Sequence, residues 1–205
     1  MKTDIIPISD EKAMERALAC LIAGGLVAFP TDTVYGLGAL AFNAAAVESI
    51  YPAKDRSVEK SIPVLIGDHG DLIRVVRDAP VYALRLAARF WPGPLTLVLA
   101  KGRDIPEAVS TSGTVGVRLP NHSAARELLR RAGPMAVTSA NISGQLSPMT
   151  AEEVFRQLNG RIPLILDGGK TPGGVPSTVV DCTLKEARIL REGPVTYEQI
   201  VKLFD

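Results

Sequence analysis

The spacing of apolar and polar residues predicts helices and strands alternating along the whole chain. Residues 10–23 follow the period of an amphipathic helix, and the glycine pair after them is a stop signal. A short buried strand is predicted at residues 26–29. Further apolar strand candidates, several of them rich in Val and Ile, are residues 62–66, 95–99, 114–119, 134–138, 162–166, 177–182 and 187–191.

Polar residues predict where several helices begin. Thr150 and Thr196 are each followed three residues later by Glu or Gln, the capping-box pattern in which both side chains bond free backbone N–H groups. Asn43 and Asn121 are simpler N-cap candidates. Because there are more strands than a plain alternation of strand and helix gives, we predict an α/β fold with a mixed sheet.

We expect residues 1–205 to form a single domain, because no internal repeat, low-complexity tract or linker interrupts the pattern. The composition, 46% hydrophobic and 22% charged, is typical of one globular domain. Lys and Arg number 23 against 22 Asp and Glu. The chain therefore has no global field that would attract nucleic acid or a membrane surface.

The cysteines, the histidines and the first residues exclude several classes of protein. Cys20 lies in a helical pattern and Cys182 in a strand pattern, which indicates neither a disulfide framework nor a zinc site. His69 and His122 lack neighbouring ligand residues, so we expect surface or cap positions rather than a metal site or a triad. No signal-peptide core or membrane-span-length apolar run is present. We expect a soluble cytoplasmic protein with no membrane partner.

Polar segments occur where the apolar strands end or begin. They are residues 30–38, 52–61, 111–121, 138–148 and 167–178, together with Arg191. Loops at strand ends that carry Gly, Pro, hydroxyls and cations are where a scaffold usually presents its chemistry. Any one of these segments could be an ordinary turn, but their number favours one shared polar cleft.

Three partial motifs in these segments lack their usual context. Residues 36–41 match the GxGxxA dinucleotide pattern, but a turn precedes them and the residue 20 positions on is an arginine rather than an acid. A Walker A loop is excluded because residue 164 is Leu where the leading glycine should stand. The Ser57-x-x-Lys60 pattern cannot open the buried helix of a serine β-lactamase, because it runs into a predicted strand that contains Pro63.

Cations are concentrated in the polar segments. Lys54, Arg56 and Lys60 lie close together where Pro, Asp and Ser discourage regular structure. Arg118 and Arg191 each stand at the end of an apolar strand, so their guanidinium groups should project from its edge. Fixed cations beside Ser and Thr hydroxyls and Gly-rich backbone suit a polyphosphate. We therefore infer a nucleotide-sized anionic ligand.

The polar segments together resemble one known family. The chain carries, in this order and over about residues 12–195, the segments FPTDTVYGLGA, AKDR, VGVRLP, TSANISG, GGVPSTVVD and ILREG. In these it is similar to the YrdC family of L-threonylcarbamoyladenylate synthases. The resemblance implies a YrdC-like twisted mixed sheet with flanking helices and a concave basic cleft.

The resemblance also implies an enzyme, a nucleotidyltransferase that joins L-threonine, bicarbonate or CO2, and ATP into threonylcarbamoyl-AMP and releases pyrophosphate. Such a transfer depends on positioning and on neutralising phosphate charge, usually with Mg2+, and needs no strong protein nucleophile. A downstream transferase complex would pass the threonylcarbamoyl group to tRNA. Direct contact of this chain with tRNA or other RNA stays open.

Site residues follow from the resemblance position by position. Lys54 and Arg56 match the family's Lys-x-Arg, which implies a catalytic triphosphate clamp, with Lys60 as a helper. The residues that match the threonine site are Thr33, Arg118 and Ser177. The residues on the nucleotide side are Thr114, Ser139, Asn141, Ser143, Ser147 and Arg191. Some of these, Asn141 among them, could instead bond the loop to itself, since Asn and Ser often bond nearby backbone.

The chain departs from the family pattern at two places. Ser57 stands where the family usually has Pro, so the loop could be less rigid. The chain ends at Asp205, without the additional C-terminal domain of longer members, so that domain's gating role cannot be assumed here.

A second hypothesis is a non-catalytic RNA-binding or ribosome-assembly module, because a concave cationic surface also attracts phosphate backbone. The net charge of +1 and the 5% aromatic content provide little material for a broad RNA surface or for base stacking. A paralogue with altered activity is a third hypothesis, which the presence of Lys54 and Arg56 disfavours.

Overall fold

The computed structural model describes residues 1–203, and the predicted domain boundary at residue 205 lies outside them. The strands in this range are β1 (Asp4–Pro7), β2 (Val27–Phe29), β3 (Gly36–Leu40), β4 (Val64–Leu65), β5 (Val76–Asp78), β6 (Leu95–Lys101), β7 (Thr114–Arg118), β8 (Met135–Ser139), β9 (Leu164–Asp167), β10 (Thr178–Asp181) and β11 (Arg188–Arg191). The helices are α1 (Ala13–Ile22), α2 (Ala44–Glu48), α3 (Ile50–Ala53), α4 (Leu72–Val75), α5 (Val81–Phe90), α6 (Ser123–Ala132), α7 (Ala151–Leu158) and α8 (Tyr197–Val201), with a 3₁₀ turn at His69–Asp71.

The strands within residues 1–203 form one mixed sheet. Their order is β1-β9-β2-β3-β8-β4-β7-β6-β10-β11, and β5 pairs with β6 outside this path. β9 runs parallel to both β1 and β2, β4 runs parallel to β7, and β6 runs parallel to β10. The other neighbouring pairs are antiparallel. The predicted α/β fold with a mixed sheet and flanking helices is confirmed.

The two faces of this sheet are covered differently. On one face, every second residue of β6 and β7 packs into a large core with apolar side chains from α2, α3, α5 and α7. On the opposite face, α1 and α6 cover a smaller core built on β2, β8 and β9. These two helices leave part of that face uncovered, and the intervening residues of β6 and β7 line a cleft there. No helix of residues 1–203 is both long and apolar enough to cross a bilayer.

The sequence pattern does not predict β1, β3 or β5, and β3 matters most because it lies between β2 and β8. The expectation that residues 30–38 form a polar loop is wrong from Gly36 onward. A Cβ on Gly36 would lie 2.6 Å from Cγ1 of Val137 on β8. Glycine at this position therefore makes room for a large neighbouring side chain. The segment that contains Gly36 and Gly38 forms a strand rather than a phosphate-binding turn.

Two predicted elements are shorter than expected. The helix predicted at residues 10–23 begins only at Ala13, because the Asp10 carboxylate accepts from the Lys12 N–H at 2.8 Å in a turn that precedes the helix. Residues 62–66 form a strand only at β4. The remaining predicted strands are observed with ends that differ by one or two residues.

Two of the predicted helix caps are confirmed. Asn43 accepts from the Ala46 N–H at 3.1 Å at the start of α2. At α8, Thr196 and Gln199 form both bonds of the capping box.

The other two caps differ from their predictions. Thr150 accepts from the Glu153 N–H, but the Glu153 carboxylate accepts from the N–H of Met149 instead of completing the box. The prediction for Asn121 is wrong, since His122 caps α6 through Nδ1, which accepts from the N–H of residue 125 at 3.3 Å. Burial lowers the pKa of His122, which favours the neutral ring that this cap requires.

Candidate active site

A concave cleft of about 370 Å³ lies on the uncovered part of the sheet. Thr96 and Val98 of β6 line it, and so do Gly116 and Arg118 of β7, since these residues alternate with those that enter the large core. Further polar residues of the lining are Thr31, Thr33, Arg56, Ser61, Thr138, Ser139, Ser177 and Arg191. The structure thus brings three arginines from distant segments to one surface.

Arg118, at the end of β7, is 6% exposed and already bonded on three sides. Its Nε donates to the Gly93 carbonyl and its Nη1 to Thr33 Oγ1, both at 3.0 Å. Its Nη2 pairs with the Asp32 carboxylate at 2.5 Å. Burial lowers the pKa of Arg118, and the Asp32 charge opposes this shift. A guanidinium has five N–H donors, so two of them remain for an anion in the cleft.

Arg191, at the end of β11, is held by Ser177. Its Nε and Nη2 donate to the Ser177 carbonyl at 3.0 and 2.8 Å, and its Nη2 lies 3.2 Å from the Ser177 hydroxyl. That hydroxyl also bonds Thr96 Oγ1 at 2.8 Å. Burial lowers the pKa of Arg191. The bonds fix the direction of the guanidinium while leaving its charge without an acidic partner in the described part of the chain.

Within the described part of the chain, Arg56 is held by backbone carbonyls. Its Nε donates to the Lys60 carbonyl at 3.3 Å, and its Nη2 donates to the Ser61 carbonyl at 2.9 Å. Burial lowers the pKa of Arg56. As with Arg191, no acid within residues 1–203 forms an ion pair with it.

Lys54 lies beside the cleft without lining it. Its side chain is 1% exposed, and its ammonium donates to the backbone carbonyls of Ser139 and Asn141. The Lys54 carbonyl in turn accepts from the Ser143 N–H at 2.8 Å. Burial lowers the pKa of Lys54 to about 7, and the nearby Arg56 charge acts in the same direction. Lys54 here joins two loops, and its contact with a triphosphate stays a prediction.

Asn141 bonds within its own loop. Its Nδ2 donates to the carbonyls of Ile142 and Gln145 at 2.8 and 2.9 Å. Its Oδ1 is buried and has no partner among the described residues. The sequence left two roles open for Asn141, contact with a nucleotide or bonding within its own loop. For the amide nitrogen, the structure shows bonding within the loop.

Four other predicted site residues are not part of the cleft lining. The side chain of Lys60 is exposed, and only its carbonyl contacts Arg56. Thr114 lines a separate cavity of about 350 Å³. Ser147 lines another of about 650 Å³, which shares Pro176 with the cleft. Ser143 contacts Lys54 through its backbone. Their predicted roles toward a nucleotide are not supported by placement in the cleft and stay predictions.

Sequence reasoning missed several hydroxyls of the lining, chiefly Thr31, Ser61 and Thr96. The stretch that contains Thr96 reads as a continuous apolar strand, although its one hydroxyl stands between two core leucines and therefore faces the opposite side. The alternation of side chains between the two faces of a strand is the signal that could have identified Thr96 as a cleft residue. Thr31 shapes the loop before β3, since its hydroxyl donates to the carbonyl of residue 34 at 2.7 Å.

The cleft is suited to anions that carry several oxygens. Three guanidinium groups and a set of Ser and Thr hydroxyls line it, and no acidic side chain of the described residues does. Arginine binds carboxylate and phosphate oxygens in pairs, and hydroxyls can donate to the oxygens that remain. Within the described residues, no three His, Cys, Asp or Glu side chains are grouped closely enough to hold a metal ion.

Comparison with known proteins gives a consistent result. The model of the Sua5/YciO/YrdC family, described as telomere recombination, matches residues 19–193. A threonylcarbamoyl-AMP synthase of Bacillus subtilis (strain 168) is 45% identical over 201 residues, which cover 97% of this chain and 58% of that protein. The chain thus spans little more than half of the length of this relative.

Two solved structures are also similar. The crystal structure of P. abyssi Sua5 complexed with L-threonine superposes with a TM-score of 0.95 at 41% identity, covering 98% of this chain and 61% of that one. The crystal structure of E. coli YciO superposes with a TM-score of 0.87 at 25% identity, covering 97% of this chain and 99% of that one.

Proposed function

The chain belongs to the Sua5/YciO/YrdC family, and on this basis we propose that it is a threonylcarbamoyl-AMP synthase. The resemblance predicted from the sequence is confirmed at the level of the family. The observation that carries the proposal is the convergence of Arg56, Arg118 and Arg191 on one cleft lined with hydroxyls. Similarity to the Bacillus synthase favours this activity over a non-catalytic RNA-binding module.

In the proposed reaction the threonine end of the cleft is built around Arg118. Its two remaining N–H donors can bind the α-carboxylate in a bidentate pair. Asp32 and Thr33 hold the guanidinium in place before the amino acid arrives. The amine of threonine adds to CO2 and loses a proton, which gives a carbamate whose oxygen is the nucleophile of the next step.

At the nucleotide end, Arg56 and Arg191 face the phosphates of ATP. The carbamate oxygen attacks the α-phosphorus in line, the bond from that phosphorus to the β-bridging oxygen breaks, and pyrophosphate leaves with the electron pair. Transfer of this kind is accelerated by positioning and by neutralisation of charge on the phosphate oxygens. Neither task requires a protein nucleophile, so an arginine and hydroxyl cleft suffices.

We propose that Mg2+ enters as its complex with ATP. Phosphate oxygens and water satisfy most of the octahedral coordination that this ion prefers, so the protein need not supply a dedicated carboxylate cage. The product would then pass to a tRNA threonylcarbamoyl transferase, and direct contact with RNA is not required for the reaction.

The decisive experiment incubates the purified protein with ATP, Mg2+ and bicarbonate and offers each amino acid in turn, with pyrophosphate as the readout. Release that requires both threonine and bicarbonate supports the proposal. Arg56→Ala should abolish release because a phosphate partner is lost, whereas Arg118→Ala should mainly raise the threonine concentration required. Release without threonine, or unchanged kinetics in both variants, would contradict it.

A further inference from the structure

Four hydroxyls form a continuous hydrogen-bonded row beside the cleft. Ser61 Oγ lies 2.9 Å from Ser110 Oγ, and Ser110 Oγ lies 2.9 Å from Ser112 Oγ. Ser112 Oγ lies 2.9 Å from Thr114 Oγ1. Ser61 lines the cleft, so the row begins at the candidate active site. None of these bonds is used in the mechanism described above.

Ser110 is the fixed member of this row. It is 2% exposed, and its carbonyl accepts from the Lys101 ammonium at 2.6 Å. The two residues before it are anchored as well: the Val109 carbonyl accepts from the backbone N–H of residue 62 at 2.8 Å, and the Ala108 carbonyl accepts from the Tyr51 hydroxyl at 2.7 Å. Its hydroxyl has one proton, so it can donate to one neighbouring serine and accept from the other.

Ser61 ends an exposed loop, and it is held both by its hydroxyl and by the peptide group that follows it, whose residue 62 N–H donates to the Val109 carbonyl. Residues 57–60 are all exposed, and the Ser61 side chain bonds Ser110. The Ser61 carbonyl is the closer of the two acceptors that hold the Arg56 guanidinium, at 2.9 Å against 3.3 Å. The direction of Arg56 therefore depends on where Ser61 is held.

We propose that Ser110 is a positioning residue for Arg56, acting through the Ser61 hydroxyl and the Ser61 carbonyl. The proposal rests on the proposed function in that Arg56 is taken to bind ATP phosphates. Arg118 and Arg191 have side-chain acceptors of their own, whereas the acceptors of Arg56 among residues 1–203 all lie in this loop. Loss of the Ser61–Ser110 bond should consequently weaken binding of the nucleotide and leave binding of threonine unchanged.

The test measures the affinity of the full chain for α,β-methylene-ATP, which cannot undergo the transfer, and for L-threonine. Ser61→Ala and Ser110→Ala should each weaken nucleotide binding about three- to tenfold, the effect of losing one hydrogen bond. Threonine affinity should stay the same. Ser61 is exposed, so its variant should fold even if Ser110→Ala folds poorly, and the Arg56→Ala background separates its effect on Arg56 from direct contact of its hydroxyl with the ligand. The matched control is Ser57→Ala, an exposed serine of the same loop whose hydroxyl accepts from the Glu59 N–H at 3.4 Å.

A double-mutant cycle separates positioning from general loosening. In an Arg56→Ala background, Ser110→Ala should cause no further loss of nucleotide affinity, because the group that it positions is gone. The proposal would be overturned if Ser110→Ala lowered nucleotide affinity equally in both backgrounds or lowered threonine affinity to the same extent. It would also be overturned if neither serine variant lowered nucleotide affinity.

Failure of the proposed function is distinguishable in the same set of measurements. If the unaltered protein binds the analogue but releases no pyrophosphate with threonine and bicarbonate, the synthase assignment fails while the role of Ser110 is still decided by the cycle. If the unaltered protein does not bind the analogue, both proposals are overturned.

Discussion

At the scale of single residues, the cations of the cleft are fixed in three different ways. Arg118 is held by an acid, Arg191 by a serine carbonyl and hydroxyl, and Arg56 by two loop carbonyls. Neutral acceptors orient a guanidinium without cancelling its charge, so Arg56 and Arg191 keep their full charge for a ligand. Donors that are oriented in advance need no reorganisation during reaction, which is the usual source of electrostatic catalysis.

The pair of Arg118 and Asp32 should contribute strongly to stability, because both side chains are largely buried, at 7% and 12% exposure. Asp32→Asn leaves the guanidinium without a counter-charge, and we expect a loss of about 3–5 kcal/mol in the free energy of unfolding. The matched control is Asp55→Asn, whose pair with Arg161 is exposed at 59% and 41% and should contribute no more than about 1 kcal/mol. Urea denaturation measures both losses, and equal values would contradict the argument.

Lys54 should make stability depend on pH. Burial lowers its pKa from 10.5 to about 7, so between these values the unfolded chain binds more protons at this residue than the folded one. The free energy of unfolding should therefore rise as the pH increases from about 7 to 10.5. Below about pH 7 the folded protein carries the buried charge and its full energetic penalty. A neutral amine still has two N–H groups for the carbonyls of Ser139 and Asn141.

The experiment for Lys54 compares the unaltered protein with Lys54→Met by urea denaturation at about pH 7 and about pH 9.5. The difference in unfolding free energy should shift in favour of the unaltered protein at the higher pH. Lys60→Met, which alters an exposed lysine of the same loop, is the control. Parallel pH profiles for the unaltered protein and Lys54→Met would show that the ammonium does not titrate in this window.

At the scale of elements, the sequence predicted most strands of residues 1–203 and missed β1, β3 and β5. β3 was hidden because Gly36 and Gly38 are poor strand formers taken alone. Their place in the sheet is set by tertiary contact, since a Cβ on Gly38 would lie within 3.2 Å of side chains from β8 and β2. β5 and β1 are short and mix apolar with charged residues, so their pairing also depends on neighbours that are distant in sequence.

The close packing of β3 against β8 leads to a prediction. Gly36→Ala puts a methyl group 2.6 Å from Val137 Cγ1, and overpacking of this kind should cost about 1–3 kcal/mol. Val137→Ala removes the clashing atom, so the double variant should lose less than the sum of the two single losses. Gly70→Ala, which has no atom within 4 Å of the added carbon, should change stability by less than about 0.5 kcal/mol. Simple additivity would contradict the steric explanation for β3.

At the scale of the whole molecule, the cleft exists because two helices cover only part of one face of a continuous sheet. The sequence indicated that Arg56, Arg118, Ser139 and Arg191 would share a cleft, since each stands at the end of an apolar element or in a polar loop, and the structure brings them to one lining. It could not indicate that the ammonium of Lys54 points to backbone carbonyls. The direction of a loop side chain is decided by acceptors from remote segments, which a local pattern does not contain.

Binding at a cleft shared by several strands should stabilise the molecule as a whole, because a ligand that binds only the folded state shifts unfolding by mass action. At 100 times its dissociation constant, a ligand adds about 2.7 kcal/mol, which for a chain of 205 residues corresponds to a rise in melting temperature of roughly 5–10 °C. α,β-Methylene-ATP and L-threonine should each give such a rise. Arg56→Ala should reduce the rise with the nucleotide only, and Arg118→Ala the rise with threonine only.

The same measurement distinguishes a small-molecule site from an RNA-binding surface. Phosphate-backbone binding weakens steeply with salt, so stabilisation by duplex RNA would disappear between about 50 and 200 mM salt. The threonine effect should persist over this range, because a carboxylate paired with a largely buried guanidinium is weakly screened. Loss of both ligand effects in each arginine variant would mean that the cleft does not contain two separable subsites. A large, salt-sensitive rise with RNA and none with threonine would instead identify the arginines as a phosphate-backbone surface.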